Sequence, residues 1–423
     1  MIATSLNLPD FKYPFLRFVG LIDARSWRAR AAQIRQVISG NVYAEEYLKE
    51  DNELCFALDE LTDIWDRSGR FPLTLRRKRH LFFAMAFIVQ TVSLIDTISE
   101  KEGRQLASRI AGAIKNKPED IRALQLELAT ATHFLLSGCN VSFPDATGSE
   151  RFDLLVKGMG ELDVEVECKF ITRDKGRKVH RRDLHEFHQM VMPHVDAFLM
   201  KSASNVILEI IVPDRFPTSL ADKRYLSERV RIALLGESVV SNEDIAEIKI
   251  RDYLLDDIGV SMADKEKLRE LVDKITGTVN KNILIRENKH GRKIILVVRS
   301  NQGDTVPESI YETLSEASKK QLTGKRPALL VARLHSIGVD GLVRLASRQD
   351  EQISMPDTLQ IIATKLLKQK HREHLVSVCF MSESEIGPRD AGKTPSHGAI
   401  YHFKNETSSF WGEGYNFNFS PIV

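Results

Sequence analysis

The chain has 423 residues, with 60 Lys and Arg against 58 Asp and Glu, a hydrophobic fraction of 43% and a charged fraction of 28%. This balance excludes a disordered chain, a collagen-like repeat and a small disulfide scaffold. The length predicts two or three domains of about 150 residues each. Because the net charge is only +2, any binding of nucleic acid must come from local patches.

Residues from about 26 to 136 read as a succession of helices, broken at short Ser-Gly and Asn-Lys-Pro segments. The most apolar segment is LFFAMAFIVQTVSLI, from Leu81 to Ile95. It is shorter than the ~20 apolar residues of a membrane-spanning helix and contains Gln90 and Thr91. We therefore predict a buried core helix and no membrane partner, although the basic run RRKRH before it leaves a membrane flank as the minor alternative.

The pattern changes to α/β after this helical region. A helix from Ile121 to Leu136 is followed by short β-like runs, a second helix and the apolar run NVILEIIV. The β-like runs are 139–143, 152–157 and 162–170, the second helix is 183–200, and the apolar run is 205–212. Together they predict one α/β module of about 95 residues.

The remainder of the chain is predicted to be a C-terminal α/β domain. Its signals are a βαβ-like unit made of KIILVV (293–298), a helix (308–322) and ALLVARL (328–334), then a helix (359–370) and a strand (376–382). The predicted fold class is thus mixed α/β. Its predicted domains are a helical N-terminal region (1–118), an α/β core (119–215) and a C-terminal α/β domain (216–423).

Acidic residues and a lysine flank a tight turn in the segment ERFDLLVKGMGELDVEVECKF. Asp153 begins one predicted strand, and Glu167 and Lys169 lie in the next. Gly158 and Gly160 mark the turn, so an antiparallel hairpin would bring the three residues together. Strand alternation predicts a charged face and an apolar face. The charged face holds Asp163, Glu165, Glu167 and Lys169, and the apolar face holds Val164, Val166 and Cys168.

Two carboxylates that converge from neighbouring strands suit a hard divalent cation such as Mg²⁺, with Mn²⁺ as an alternative. Such a cation polarises a phosphodiester oxygen and lowers the pKa of a bound water, and a nearby ammonium can orient that water. Asp153, Glu167 and Lys169 could supply these groups, and the carbonyl of Cys168 would point near the same metal. The alternative is a solvated strand face with alternating charge. Glu165 is expected to be a surface acid.

This order of elements resembles the PD-(D/E)xK nuclease superfamily, which includes type II restriction enzymes, Holliday-junction resolvases and phage-defence nucleases. The resemblance covers residues of roughly 120–213. It implies that Asp153 and Glu167 are metal ligands, that Lys169 is the catalytic lysine and that Glu127 is the additional acid of the first helix. Glu127 lies among apolar helix positions, where a carboxylate is costly without a partner.

The family's Pro-Asp pair marks one departure. The literal pair here is Pro144-Asp145, whereas Asp153 follows Phe152. We choose Asp153 because the apolar run LLV follows it, as expected for a strand.

A basic loop, ITRDKGRKVHRRD, comes directly after the motif. Asp174 is the only acid among its cations, so the loop is a candidate for phosphate contacts, with a solvated basic loop as the alternative. Its cations are Arg173, Lys175, Arg177, Lys178, Arg181 and Arg182. His185 and His188 on the following helix complete no zinc pattern and are expected on the helix surface.

One segment near the C-terminus matches a phosphate-binding motif in spacing alone. Residues 387–394, GPRDAGKT, satisfy the spacing of a phosphate-binding P-loop, but the Pro, Ser, His and Gly that follow predict no helix to hold the phosphates. A polar loop is the expected structure.

These observations predict a cytoplasmic, Mg²⁺-dependent endonuclease that acts on nucleic acid, expected to be DNA, in restriction or anti-phage defence. The role in defence follows from the resemblance alone, since one fold serves many functions. The competing hypothesis is a non-catalytic nucleic-acid-binding or scaffold protein with a degenerate nuclease fold. A homodimer, or a partner protein bound through the N- or C-terminal domain, stays open. The four cysteines contain no C-x-x-C pair, which favours a reducing compartment.

Overall fold

The computed structural model describes residues 10–116, 118–202, 204–236, 245–253, 281–335, 358–382 and 399–412, and a few positions besides (272, 274, 276, 385–386, 396–397 and 414–415). The chain divides into two compact units. Unit 1 comprises Met1–Gln36, Lys49–Lys175 and Pro307–Val423, and unit 2 comprises Val37–Leu48 and Gly176–Val306. The segment 387–394, set aside above, lies outside the described residues.

The mixed α/β class and the helical N-terminal region are confirmed. The helices are α1 Lys12–Ile22, α2 Arg25–Gly40, α3 Glu45–Asp51, α4 Glu53–Ser68, α5 Arg79–Ile95, α6 Glu100–Lys115, α7 Pro118–Leu136, α8 Pro144–Thr147, α9 Arg181–Lys201, α10 Leu220–Leu234, α11 Val306–Lys320 and α12 Thr358–Leu367. Two 3₁₀ turns cover Val42–Ala44 and Leu73–Arg77.

The strands are β1 Asn140–Ser142, β2 Leu154–Lys157, β3 Val164–Ile171, β4 Asn205–Val212, β5 Glu247–Tyr253, β6 Asn282–Glu287, β7 Lys293–Ser300, β8 Ala328–Leu334, β9 Leu375–Met381, β10 Glu385–Ile386, β11 Ser396–His397 and β12 Ile400–Lys404. Strands β10 and β11 form a two-stranded ribbon. The others form one larger sheet in each unit.

The predicted core helix at Leu81–Ile95 is confirmed. It forms α5, in which Leu81, Ala84, Met85 and Ile88 are fully buried. Their spacing repeats at three and four residues, which places them on one face of a helix. Among the described residues, no helix is long and apolar enough to cross a membrane.

Unit 1 contains a six-stranded sheet in the order β1-β2-β3-β8-β9-β12. Strand β3 pairs antiparallel with β2 and parallel with β8, and β9 continues parallel to β8. The apolar side chains of β3 (Val164, Val166 and Cys168) join the same core as the buried side chains of helix α7. Packing of α7 on β3 therefore fixes where this helix presents its polar residues.

Unit 2 has its own four-stranded sheet, in the order β5-β4-β7-β6. Apolar side chains of α9 and α10, such as Phe187, Val191 and Val230, pack with Leu208 and Leu296 of this sheet. All eight residues of β4 are buried, which explains its continuous apolar run. A second pair of parallel neighbours, β4 and β7, lies at the centre of the sheet.

The prediction that residues 119–215 form one module is wrong in its last two elements. Strand β4 pairs with β5 and β7 in unit 2, whereas β8 takes the position beside the motif strand. The expected βαβ unit of β7 and β8 is wrong for the same reason, because these strands lie in different sheets. The chain thus divides at 36, 48, 175 and 306, not at the predicted 118 and 215.

Candidate active site

The β2–β3 hairpin brings Asp153 to the motif strand. Leu154 pairs with Val166 in this hairpin, so the register places Asp153 opposite Glu167. The Oδ2 atom of Asp153 accepts a hydrogen bond of 2.7 Å from the backbone amide of Cys168. Asp153 is 7% exposed, because Phe152 and Leu154 on either side of it are fully buried. The hairpin therefore orients this carboxylate through a backbone contact that needs no particular side chain at position 168.

Glu167 and Lys169 follow on β3, two residues apart and on the same face of the strand. The Lys169 Nζ atom lies 2.6 Å from Oε1 of Glu167. Glu167 is fully buried, and its Oε2 atom has no hydrogen-bond partner among the described residues. A buried carboxylate oxygen without a partner is energetically costly, and a bound cation would remove that cost.

Glu127 enters the cluster from α7, as predicted. It lies between Leu126 and Leu128, both fully buried, and is itself 4% exposed. Arg109 of α6 contacts both oxygens of the Glu127 carboxylate, with Nη2 3.2 Å from Oε1 and Nη1 3.1 Å from Oε2. Only the Nη2 contact is a hydrogen bond, and the Nη1 contact is an ion pair, so Arg109 holds one oxygen of Glu127 by a directed bond and helps to balance the charge of the carboxylate.

Arg109 also reaches Asp145, whose Oδ2 atom lies 3.5 Å from the Arg109 Nη2 atom. Asp145 opens the short helix α8, which begins at Pro144. Sequence reasoning set Asp145 aside in favour of Asp153, yet the structure brings both acids to one cluster. Arg109 was missed altogether, since a single arginine in a charged helix gives no signal of its own.

The acids of the cluster perturb one another. Burial, and then the charge of Asp153, raise the pKa of Glu127 to about 8. The same two causes raise the pKa of Glu167 well above its ordinary value. Burial raises the pKa of Asp153 as well, against the opposing effects of the Cys168 amide and Lys169. Carboxylates that repel one another in this way are typical of functional sites.

The two cations of the cluster behave in the opposite sense. Burial lowers the pKa of Lys169, but the neighbouring groups, Glu167 first and then Asp153, together raise it more, so the net shift is upward. The pKa of Arg109 is likewise raised by Glu127 against burial. Both side chains therefore carry their positive charge at neutral pH.

The charge balance of the cluster leaves room for a divalent cation. Four carboxylates (Glu127, Asp145, Asp153 and Glu167) face two cations (Arg109 and Lys169), a difference of two negative charges when all are ionised. Carboxylate oxygens are the ligands that Mg²⁺ prefers. Within the described part of the chain, however, no three acidic, histidine or cysteine side chains already converge on one point as metal ligands. The residues fit a cation by charge and donor type, and binding would require the carboxylates to rotate inward.

Two predictions for β3 residues have different outcomes. Glu165 is not a surface acid, because it is fully buried and accepts hydrogen bonds from Thr323 and from Arg326, the latter at 3.2 Å. Its carboxylate thus anchors the loop before β8. Cys168 contributes its amide to Asp153, while burial raises the pKa of its thiol well above the ordinary value. Metal binding by its carbonyl stays a prediction.

The cations of the basic loop have more acidic partners than the sequence indicates. Arg177 lies 2.8 Å from Asp304, and Lys178 lies 2.5 Å from Asp214. The remaining contacts are those of Arg173 with Glu50 (3.9 Å), Arg182 with Glu186 (3.4 Å) and Arg181 with the Tyr47 ring (5.2 Å). Arg173 and Lys175 belong to unit 1, and the other four cations belong to unit 2. The expectation that Asp174 alone opposes them is wrong, since distant acids fold back onto the loop.

Of the two histidines of α9, His188 is buried, contrary to the expectation, and His185 is half-buried. His188 is 5% exposed, and burial lowers its pKa to about 3. The ring of His185 stacks on Tyr47 at 5.4 Å. Both rings therefore contribute to the packing of unit 2.

A search of family models, of curated proteins and of solved structures found no match to this chain.

Proposed function

We propose that the acid cluster of unit 1 is the active site of a metal-dependent nuclease that hydrolyses phosphodiester bonds, with DNA as the expected substrate. The observation that carries the proposal is the meeting of Glu127, Asp153, Glu167 and Lys169 in one cluster, in which the three carboxylates are buried and an oxygen of Glu167 has no hydrogen-bond partner among the described residues. These four residues are the ones that the resemblance to the PD-(D/E)xK superfamily singles out.

Each residue has a distinct role in this proposal. Asp153 and Glu167 would hold the cation, which supplies Lewis-acid activation of the phosphate and of a water when bound. Lys169 would orient the attacking water or stabilise the charge that develops on the phosphate oxygens. Its raised pKa favours the ammonium form that this role requires.

Glu127 and Arg109 would act as a supporting pair. One hydrogen bond and one ion pair from Arg109 hold the Glu127 carboxylate inside the core. Because its pKa is raised to about 8, Glu127 holds a proton at neutral pH in the absence of a cation. It could release that proton when a cation binds nearby, since added positive charge favours the carboxylate.

The test is a cleavage assay with purified protein on supercoiled plasmid, linear DNA and RNA, in Mg²⁺ and in EDTA. We expect cleavage of DNA in Mg²⁺ only. Lys169→Ala should abolish it, whereas Lys157→Ala should not, because Lys157 is an exposed lysine of the same hairpin that pairs with Asp163 at 3.6 Å. Binding of DNA without cleavage in every condition would instead support the non-catalytic alternative.

The wider context follows the same proposal. The four cysteines, all described, are free and buried, which suits the reducing cytoplasm that we propose as the location. A role in restriction or phage defence rests on the resemblance alone. Infection of cells that express the wild type or Lys169→Ala would test it, with protection by the wild type only as the expected result.

A further inference from the structure

The turn between β6 and β7 in unit 2 is held in one conformation by a single side chain. Oδ1 of Asn288 accepts hydrogen bonds from the amides of His290 (2.9 Å) and Arg292 (3.0 Å). The backbone closes the turn, with the Asn288 amide 2.9 Å from the carbonyl oxygen of Arg292. Gly291 has a φ of +75°, a conformation that glycine adopts without strain. The tip of this hairpin is therefore rigid.

The same asparagine fastens the tip to helix α9. Its Nδ2 atom donates a hydrogen bond of 2.8 Å to the carbonyl oxygen of Leu199, in the last turn of the helix. The helix ends two residues later at Lys201, whose side chain is exposed. Lys201 thus lies at the same end of unit 2 as the hairpin tip. We call Lys201, Lys289, His290 and Arg292 the basic tip.

The cations of the basic tip have no acidic partner among the described residues. Lys289, His290 and Arg292 are exposed and form no ion pair there. Of the described acids, Glu287 and Asp252 lie at this end of the sheet, and each has a partner. Glu287 lies 3.9 Å from Lys293, and Asp252 accepts a hydrogen bond of 2.5 Å from Ser204. Among the described residues at this end of unit 2, positive charges therefore outnumber negative ones, and those of Lys201, Lys289 and Arg292 are held in no ion pair.

This surface differs from the basic loop that follows the motif. In the loop, Arg177 and Lys178 already pair with Asp304 and Asp214. A cation in an internal ion pair must lose that contact before it can neutralise a phosphate, whereas a cation of the basic tip loses none. Of the two basic segments, the tip is thus better suited to bind a polyanion.

We infer that the basic tip contacts the phosphate backbone of double-stranded DNA and makes unit 2 the substrate-binding module of the enzyme. This inference rests on the proposed function. The β6–β7 turn is one corner of a four-stranded sheet, so its exposed Lys and Arg can meet phosphates at the surface of the duplex, the class of contact that positions a protein on DNA without reading bases. Because the tip is braced by Asn288, its cations are positioned before binding, which lowers the entropic cost of association.

The experiment measures binding of a fluorescent 30-base-pair DNA duplex by anisotropy, in EDTA so that no cleavage occurs, at several salt concentrations. The wild type is compared with the double variant Lys289→Ala/Arg292→Ala. The control is Lys368→Ala/Lys370→Ala, which removes the same charge from two exposed lysines of unit 1. Each phosphate contact adds about 0.9 to the slope of log affinity against log salt, so the slope of the tip variant should fall by ~2 and its affinity at low salt about tenfold.

The control variant should keep the wild-type slope. An unchanged slope in the tip variant, with intact binding by the wild type, would overturn the inference and leave the proposed nuclease standing. Failure of the wild type to bind or cleave DNA would overturn both. The same two proteins are also tested for binding to vesicles of phosphatidylserine. If the tip variant loses vesicle binding but retains DNA binding, the surface is a membrane contact and the inference is wrong.

Discussion

Both units bury charged side chains, but they balance them differently. In unit 2, the fully buried Lys223 lies 2.6 Å from Asp183 and 2.6 Å from Glu186, and a second cluster pairs buried Glu209 with Arg299 at 2.7 Å. In unit 1, four carboxylates share two cations, and an oxygen of Glu167 lacks a partner within the described structure.

The difference separates structural charge from functional charge. Lys223 and Arg182 together balance Asp183 and Glu186, so this cluster ties α9 to α10 and leaves no acid without a cation. In the acid cluster of unit 1, burial and then repulsion by Asp153 raise the pKa values of Glu127 and Glu167. A fold retains such repulsion when a ligand of opposite charge offsets it, which is the reason to expect a cation there.

The largest expected effect is on catalysis. Glu167→Gln removes one ligand of the proposed cation and should lower the cleavage rate by at least about 10³-fold. It should leave the thermal stability unchanged or raise it, because one source of repulsion disappears. The measurement pairs plasmid cleavage with thermal unfolding of the same protein. A Glu167→Gln protein that cleaves normally, or that unfolds at a much lower temperature, would place Glu167 with the structural charges.

Removal of a buried charge in unit 2 should instead lower the stability of the folded protein. Lys223→Met leaves Asp183 and Glu186 without their shared cation, and breaking a buried pair in this way costs about 3–5 kcal/mol of unfolding free energy. Hydrogen exchange at the amides of β4, in the centre of the unit 2 sheet, would report this loss. Adding Asp183→Asn to Lys223→Met should recover part of it, and unaltered exchange in the single variant would show that the two clusters do not differ as described.

The acid cluster should make unit 1 sensitive to pH. Because the pKa of Glu127 is raised to about 8, the folded state keeps a proton that the unfolded state loses above pH 4.5. The free energy of unfolding should therefore fall as pH rises from about 5 to 8, by at most about 1.4 kcal/mol per pH unit for this one proton.

Fluorescence of Trp27 and Trp65, both in unit 1, can follow this transition in EDTA. Glu127→Gln should flatten the pH dependence, and Mg²⁺ should flatten it in the wild type, since a cation favours the ionised carboxylates. Stability that rises over the same pH range would contradict the assigned direction of the shift.

A smaller effect on the cleavage rate is expected from substitution of Arg109, which the sequence did not indicate as a site residue. Arg109→Met removes the grip on Glu127 and should lower the cleavage rate about tenfold, as expected for a residue that positions another. The optimum of the pH profile should move upward, because loss of the guanidinium raises the pKa of Glu127 further. Arg109→Lys should recover part of the rate, and Arg104→Met, an exposed arginine of the same helix that pairs with Glu100, should have no effect. A pH profile that stays in place would assign Arg109 a structural role alone.

The local parts of the site could be predicted from the sequence. The hairpin register follows from strand alternation and the glycine turn, so Asp153 and Glu167 were identified correctly as neighbours. The strand beside β3 could not be predicted in this way, because β8 follows only after more than a hundred intervening residues that fold as unit 2. The apolar runs of β4 and β8 have similar patterns, so the pattern alone does not tell which of the two strands lies beside β3.

The sequence predicted the burial of some charged side chains but not of others, for a related reason. Glu127 stood out because apolar residues flank it on a helix. Glu165 did not, since its partners Thr323 and Arg326 are distant in the sequence. The same limit hid Arg109 and the acids that neutralise the basic loop. Pattern reasoning identifies which face of an element is charged, whereas tertiary contacts decide which charges are paired.

The most direct test of the central claim is a calorimetric titration of Mn²⁺ into the wild type and into Glu167→Gln near pH 7, in two buffers of different ionisation enthalpy. If the acid cluster holds a cation, the wild type should bind Mn²⁺ saturably and release protons, chiefly from Glu127, so that the heat depends on the buffer. Glu167→Gln should lose this signal. Equal heats from the two proteins, or binding without proton release, would contradict the assignment of this cluster as a metal-dependent active site.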